Sequence, residues 1–248
     1  NFSFIDVESG DLASGLIGIG RMPEPENIII YLESFFKDLS PLKNINCLIT
    51  AGPTYEKIDP VRFIGNFSSG KMGVAIANEL AFLGANVELV IGPSSVKIHP
   101  NVSVHRIEST EEMYNACLEI FDNSKLIIFS AAVSDYKPKK IEKRKIKKST
   151  HNINLSLEKN VDILEHLGNN KKSHQILVGF ALETENEIIN AKEKMIRKKL
   201  DMIVLNSMND KESCFGSDKN KVTLIRKDDD IEHLPLMTKK NVAKYIVK

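Results

Sequence analysis

The chain has 248 residues, of which 42% are hydrophobic and 27% charged, with a formal net charge of +1. That is the balance of an ordinary globular protein with one large domain or two small ones. No apolar run approaches the roughly 20 residues of a membrane-crossing helix, and no charged-then-apolar leader points to secretion. Three widely spaced cysteines, Cys47, Cys117 and Cys214, form no zinc spacing and fit a reduced, cytoplasmic setting. The chain starts Asn-Phe-Ser, not Met, so a piece of something longer is expected.

Residues 1–38 read as an arm: a glycine-rich loop from Gly10 to Met22, then an amphipathic helix over PEPENIIIYLESFF with Pro at its start. Residues 39–44, with Pro41, are a linker, and residues 45–248 form the main domain. It opens on an apolar strand, Ile45 to Thr50, stopped by Ala51-Gly52-Pro53. After a polar loop, Ser68-Ser69-Gly70-Lys71-Met72-Gly73 enters a helix whose apolar residues (Val74, Ile76, Ala77, Leu80, Ala81, Leu83) recur at helical spacing up to Gly84. A second strand, Asn86 to Ile91, follows. The unit is a βαβ crossover whose helix N-terminus and two serines face the loop, an arrangement suited to a phosphate or nucleotide.

Two familiar nucleotide motifs fit poorly. Gly65 to Lys71 matches the first seven positions of a P-loop, but Met72 stands where Ser or Thr would hold magnesium, and the loop starts well after its strand. A GxGxxG fingerprint is absent, because Pro53 and Thr54 follow Gly52. A plain βαβ unit with a serine-rich cap would not need Asp59-Pro60-Val61-Arg62 and Asn66 in one loop.

Further on, Val102 to Ile107 alternates as a strand, and Ser109 opens a helix that runs to about Asn123. Lys125 to Val133 is a buried strand with Ser134-Asp135-Tyr136 at its carboxyl end, where ligands gather in open α/β sheets. Asp135 reads equally well as a turn residue. The run Lys137 to Lys148 is a solvated basic segment, a nucleic-acid arm, or a lid suited to a triphosphate. The alternating strand that follows it, Ile153 to Glu158, argues against an arm. Asn160 is a plausible cap for a short helix beginning at Lys159. Gln175 to Thr184 is another buried strand, with Phe180 as plain core by pattern alone. On the helix from Glu185 to Leu200, Lys194 and Lys198 lie one turn apart on what reads as a solvated face. Asp201 to Asn206 is a strand, Asn206 to Asn220 a loop, Lys221 to Arg226 a strand, Asp228 to Asp230 a hairpin turn, and Thr238 caps a final helix. No internal repeat appears, and none of the six histidines pairs with another ligand at metal spacing. The pattern predicts an α/β fold, a three-layer sandwich with a mostly parallel Rossmann-like sheet.

The stretch ITAGPT-x-E-xx-DPVR-x-I-x-N-x-SSGKMG resembles the opening of phosphopantothenate–cysteine ligase, the second activity of the bacterial bifunctional coenzyme A biosynthesis protein. The Ala131-Ala132-Val133-x-Asp135-Tyr136 motif, Lys145-Ile146-Lys147-Lys148, and Gly179-Phe180-Ala181-x-Glu183-Thr184 match in the same order. Asn160-Val161-Asp162-Ile163 departs from the family's Asn-Pro-Asp-Ile at Val161, so its turn is less rigid. The resemblance spans residues 45–248, about four fifths of the chain.

It implies amide ligation of 4′-phosphopantothenate and cysteine, driven by CTP through an acyl-cytidylate. Asn66, Lys145 and Arg62 would be catalytic, and Arg62, Asn66 and Ala132 would bind substrate. Ser69, Gly70, Ala131, Asp135, Lys145, Asn160, Val161, Asp162, Ile163, Phe180, Lys194 and Lys198 would bind the nucleotide. Magnesium or another divalent cation would assist, with unknown protein ligands. A homodimer is expected, covalently linked to a decarboxylase domain, with no nucleic-acid or membrane partner. Residues 1–38 resemble the C-terminal tail of that FMN-dependent decarboxylase. Ser14 stands there in place of an acid cysteine, so decarboxylation by this chain alone is not expected.

Two other readings remain. A short-chain oxidoreductase would use a Tyr-x-x-x-Lys pair, and Tyr136 and Lys140 have that spacing, although Pro138 disfavours a catalytic helix there. A non-catalytic basic module would bind nucleic acid with steep salt dependence.

Overall fold

The computed structural model describes residues 3–12, 14–38, 40–147, 153–207 and 217–248. Lys148 and Cys214 lie outside the described residues. The chain divides into two compact units, Asn1–Lys43 and Asn44–Lys248. In the first, β1 (Glu8–Asp11) and β2 (Ile17–Arg21) pair antiparallel, and α1 (Pro25–Asp38) follows. The glycine-rich stretch expected as a loop is therefore largely a hairpin. Gly10 pairs with Gly18 across it, and Gly15 supplies the positive φ of its turn.

The second unit begins with β3 (Asn46–Ala51), whose loop folds into a small hairpin of β4 (Tyr55–Lys57) and β5 (Phe63–Gly65). Then come α2 (Lys71–Phe82), β6 (Asn86–Ile91), β7 (Val102–Arg106), α3 (Thr110–Phe121) and β8 (Leu126–Phe129). A second hairpin pairs β9 (Tyr136–Pro138) with β10 (Leu157–Lys159) around the basic run. The chain continues with α4 (Ile163–Asn170), β11 (Ile176–Glu183), α5 (Glu187–Arg197), β12 (Met202–Ser207), β13 (Lys219–Asn220), β14 (Val222–Arg226), β15 (Ile231–His233), β16 (Met237–Thr238) and α6 (Lys239–Val247).

Eight strands form one sheet in the order β15-β14-β12-β11-β8-β3-β6-β7. From β12 to β7 all neighbours are parallel, while β14 and β15 add an antiparallel edge. Counting only the six parallel strands, this is the doubly wound 3-2-1-4-5-6 order, with its reversal between β3 and β8. The sheet is mostly parallel because its strands are apolar on both faces. Leu48 and Ile49 of β3, and Ile127 and Ile128 of β8, are fully buried, each worth about 1.5–3 kcal/mol of apolar transfer. One face packs on α3, α4 and α5 through a cluster that includes Leu48, Cys117, Ile127, Leu167, Leu177 and Ala191. The other carries α2, which also packs on α6. A Cβ on Gly73 would lie 2.6 Å from the Ala51 Cβ, so α2 needs glycine there to sit on β3. Ser109 and Thr238 cap their helices as the sequence suggests, accepting from the N–H groups of Glu112 and Asn241. No helix among the described residues is long and apolar enough to cross a membrane.

Candidate active site

The strand order splits between β3 and β8, and a cleft of about 690 Å³ opens beyond their carboxyl ends. The end of β3 and its loop are joined there to the loop after β8 by a backbone bond and a bond to a side chain. Ala132 N–H donates to the Gly52 carbonyl at 2.9 Å, and Ala131 N–H to Thr50 Oγ1 at 3.2 Å. Below them lies a buried polar network. Thr54 Oγ1 takes the Ser134 N–H at 2.9 Å and meets Thr110 Oγ1, whose N–H and hydroxyl both donate to Glu56 Oε1. A carboxylate buried this deeply is tolerated because its donors satisfy it. It also fixes the Ala131–Asp135 loop against the start of α3.

The first wall is the N-terminus of α2. Gly70 is left-handed (φ 74°) and packs beside the Ser94 hydroxyl, where a Cβ would come within 3.0 Å. Ser68 and Ser69 turn their hydroxyls onto the Gly70 and Lys71 N–H groups. Among the described residues, the N–H groups of Met72 and Gly73 have no protein partner, and both residues line the cleft. These are the orphan donors of a helix start, and they suit an anion. Asn66, just ahead, donates through Nδ2 to the Val133 carbonyl at 2.8 Å and so ties this wall to the loop after β8.

The second wall comes from α4, β11 and α5. Asn160 was expected to cap α4; instead Asp162 does so, accepting from the Glu165 N–H at 3.0 Å. The aspartate has the extended backbone of a cap, whereas Asn160 donates to the Ser134 carbonyl and to Thr110, closing the buried network. Lys198 gives its ammonium to both Asp162 oxygens, at 2.8 and 2.7 Å, and Lys194 gives its own to the Phe180 carbonyl at 2.9 Å. Burial pushes the Asp162 carboxyl up, but the hydrogen bond from Lys198 and the Glu165 N–H outweigh it and hold the group below the usual carboxylate range. Burial, and then the charge of Lys198, pull Lys194 below the usual lysine value.

Thirteen of the fifteen residues expected at the site line this one cleft: Asn66, Ser69 and Gly70; Ala131, Ala132 and Asp135; Asn160, Val161, Asp162 and Ile163; and Phe180, Lys194 and Lys198. Arg62 and Lys145 do not. Arg62 pairs with Asp59 at 2.6 Å, and Lys145 is exposed beside it. A third wall was not expected at all. Asn206 at the end of β12 accepts from Asn220 on β13 at 3.0 Å, and Lys239 opens α6. Lys71 of α2 pairs with Asp218 at 2.6 Å. Burial, and then Lys71, hold Lys239 below the ordinary lysine value. No local pattern marks Asn220 or Lys239; only the packing of α6 on α2 brings them here. The cleft is lined by five lysines (Lys71, Lys159, Lys194, Lys198, Lys239) and two aspartates (Asp135, Asp162), a local excess of three positive charges in a chain of net charge +1.

The geometry disposes of two motif readings. Tyr136 lies on strand β9 and not on a helix, so Tyr136 and Lys140 are not one turn apart as a short-chain oxidoreductase pair would be. Gly65 ends strand β5, and the segment to Lys71 is not a continuous phosphate-wrapping loop on β3. Among the described residues no group of three His, Cys, Asp or Glu side chains is gathered to hold a metal.

The sequence matches, over residues 42–248, the family described as the DNA/pantothenate metabolism flavoprotein C-terminal domain. It is 42% identical over 245 residues to the coenzyme A biosynthesis bifunctional protein CoaBC of Bacillus subtilis, covering 98% of this chain and 60% of that protein. Against the Borreliella burgdorferi CoaBC the identity is 41% over 250 residues, covering 100% and 63%. A prokaryotic protein of unknown organism, named cysteine/cysteine sulfinic acid decarboxylase, is 45% identical over 249 residues, covering 98% of this chain and 69% of its own length. The chain thus spans about three fifths of the length of the CoaBC relatives. The solved C-terminal domain of a CoaBC superposes with a TM-score of 0.72 at 42% identity, covering 84% of this chain and 94% of that one. A Cab2 variant in complex with phosphopantothenate-cysteine shares the fold, with a TM-score of 0.65 at 18% identity, covering 91% and 94%. The chain belongs to the DNA/pantothenate metabolism flavoprotein C-terminal domain family, the family of the ligase domain of bifunctional CoaBC proteins.

Proposed function

We propose that residues 44–248 join 4′-phosphopantothenate to cysteine in coenzyme A biosynthesis, using CTP and releasing pyrophosphate and CMP. The observation that carries this reading is the convergence of thirteen motif residues, scattered from Asn66 to Lys198, on one cationic cleft at the sheet's switch point. Phosphopantothenate's carboxylate would attack the α-phosphorus of CTP, and pyrophosphate would leave with the bonding electrons. That step brings two anions together, so the excess lysines and the α2 N-terminus would offset the repulsion. The second Nδ2 hydrogen of Asn66, not used on Val133, would reach the acyl phosphate without adding charge. Cysteine's amine would then attack the acyl carbon and CMP would leave. Phe180, half-buried at the cleft, would stack on the base.

A divalent cation fits the donor set in one way. Asp162 is occupied by Lys198, but the Asp135 carboxylate has no partner among the described residues and lines the cleft. A magnesium ion held by one carboxylate and the substrate's own phosphates is an ordinary arrangement; it would shield the phosphate charge. A homodimer, and linkage to a decarboxylase domain in the longer protein, belong to the same proposal. Pyrophosphate release tests it. The purified protein should release pyrophosphate from CTP only with phosphopantothenate present, and CMP only when cysteine is added as well. Release from CTP alone would point to a different acceptor and defeat the assignment.

A further inference from the structure

Asp59 lies outside the cleft, yet its side chain is fully buried and accepts four hydrogen bonds. Oδ1 takes the N–H groups of Val61 and Arg62, at 2.8 and 2.9 Å, which shapes the turn of the β4–β5 hairpin. Oδ2 takes Arg62 Nη1 at 2.6 Å and the Ile146 N–H at 3.1 Å, 87 positions along the chain. Arg62 in turn donates from Nη1 and Nη2 to the Ile146 carbonyl, at 3.4 and 3.5 Å. The peptide of Ile146 is thus held at both ends, its N–H by the carboxylate and its carbonyl by the guanidinium. A further bond, Glu142 N–H to the Ile58 carbonyl at 2.9 Å, fixes the same segment. Four exposed basic residues, Lys143, Arg144, Lys145 and Lys147, surround this clip. Neither Arg62 nor Lys145 lines the cleft, so any part they take in the reaction depends on how this clip holds them.

We propose that Asp59 is a positioning residue that fastens the basic segment to the Arg62 turn, so that Arg62 and Lys145 are presented to the reaction as one unit. The proposal rests on the ligase reading for its kinetic consequence, but not for the contact itself. The carboxylate is specific. All four bonds are donated to it, so an amide at this position would set its own N–H₂ against one pair of donors. Ile146→Pro is the sharper variant, because it removes the N–H that Asp59 takes, along with the backbone freedom of Lys145 and Ile146, and changes no side chain of Asp59, Arg62 or their turn. Ile146→Ala keeps the N–H and controls for the side chain.

Hydrogen exchange of residues 139–147 and steady-state ligation are read on the same four proteins. Asp59→Asn and Ile146→Pro should each speed exchange of this segment on the order of tenfold, without changing exchange in β3, β8 or β11. Each should also lower kcat for amide formation about tenfold with CTP's KM within twofold, whereas Ile146→Ala stays near wild type in both. A general structural role would instead lower the melting temperature and speed exchange in the central strands. Unchanged exchange in Ile146→Pro would overturn the contact. Lost protection with full turnover would overturn its use in positioning. If the wild-type protein does not ligate, the ligase reading fails while the exchange results still decide whether the clip exists.

Discussion

Lys198 gives its ammonium to Asp162, whereas Lys194, one turn earlier, hydrogen-bonds only the Phe180 carbonyl among the described residues. At the residue scale that difference separates a structural ion pair from a cation open to ligand. Lys194 is held below its ordinary value by burial and by Lys198, and an anionic ligand favours its charged form. Affinity for CTP should therefore be flat at neutral pH and fall as the pH rises through the lowered Lys194 value, earlier than a free lysine would allow. Binding in that range should take up a proton. Lys194→Gln should weaken CTP binding on the order of tenfold and shrink the alkaline limb to the part that Lys239, also held below the ordinary lysine value in this cleft, supplies, with little change in melting temperature. Lys198→Gln should behave differently, costing about 1–3 kcal/mol of stability, because it strands the Asp162 carboxylate. Calorimetry of CTP binding between neutral and alkaline pH checks the first and thermal melting the second, and an alkaline limb undiminished in Lys194→Gln would defeat the assignment.

At the scale of elements, the strands and the α2 crossover were legible because each carries a short-range period and a stop signal such as Gly52-Pro53 or Gly84. The helix start at Ser69 and Gly70, and the strand end at Asp135, pointed to a ligand by pattern, but residues such as Phe180 and Lys194 were legible only through family resemblance, since Phe180 reads as core and Lys194 as surface by pattern alone. Three things were out of reach. In the two small hairpins, β4, β5 and β9 have three residues each, too short for a period to register, and the alternating strand expected over Ile153 to Glu158 forms only as β10, Leu157–Lys159. The cap of α4 fell to Asp162 because Asn160 was drawn into the buried Thr110 network, a contact across 50 positions. Lys239 and Asn220 join the cleft only through the packing of α6 on α2. The basic segment is the element whose chemistry remains most open to test. Lys145 is exposed on it and outside the cleft, whereas Asn66 sits at the cleft wall. The two would then serve different steps, with Asn66 acting in activation and Lys145 in assisting the amine and the departing CMP. Lys145→Gln should slow amide formation more than activation, so that rapid quench finds acyl-cytidylate accumulating and pyrophosphate appearing before CMP. Loss of pyrophosphate release itself would move Lys145 to the first half-reaction.

At the scale of the molecule, charge is distributed unevenly: the chain totals +1, yet the cleft walls carry an excess of three. Two mechanisms of anion binding predict opposite responses to redistributing the rest. If the cleft does the work, basic residues elsewhere matter little, because exposed charges more than about 8–10 Å away are screened at physiological salt. If the basic run acts as a polyelectrolyte arm, its exposed charges are the binding surface and each contributes to the salt slope. Lys139, Lys143 and Arg144 are exposed and line no part of the cleft. Replacing all three with Gln changes the net charge from +1 to −2, by removing three positive charges. The triple variant should bind CTP within about twofold of wild type, since preorganised donors that line the cleft outweigh exposed, screened charge. Its melting temperature should still rise with saturating CTP, by an amount that corresponds to about 2.7 kcal/mol at a hundred times Kd. Binding of a single-stranded oligonucleotide provides the opposing measurement. A wild-type affinity that falls steeply with salt, and disappears in the triple variant together with the CTP response, would mean that the basic run and not the cleft is the seat of anion binding. A CTP response that survives the charge reversal but is lost in Lys194→Gln would place it in the cleft between β3 and β8.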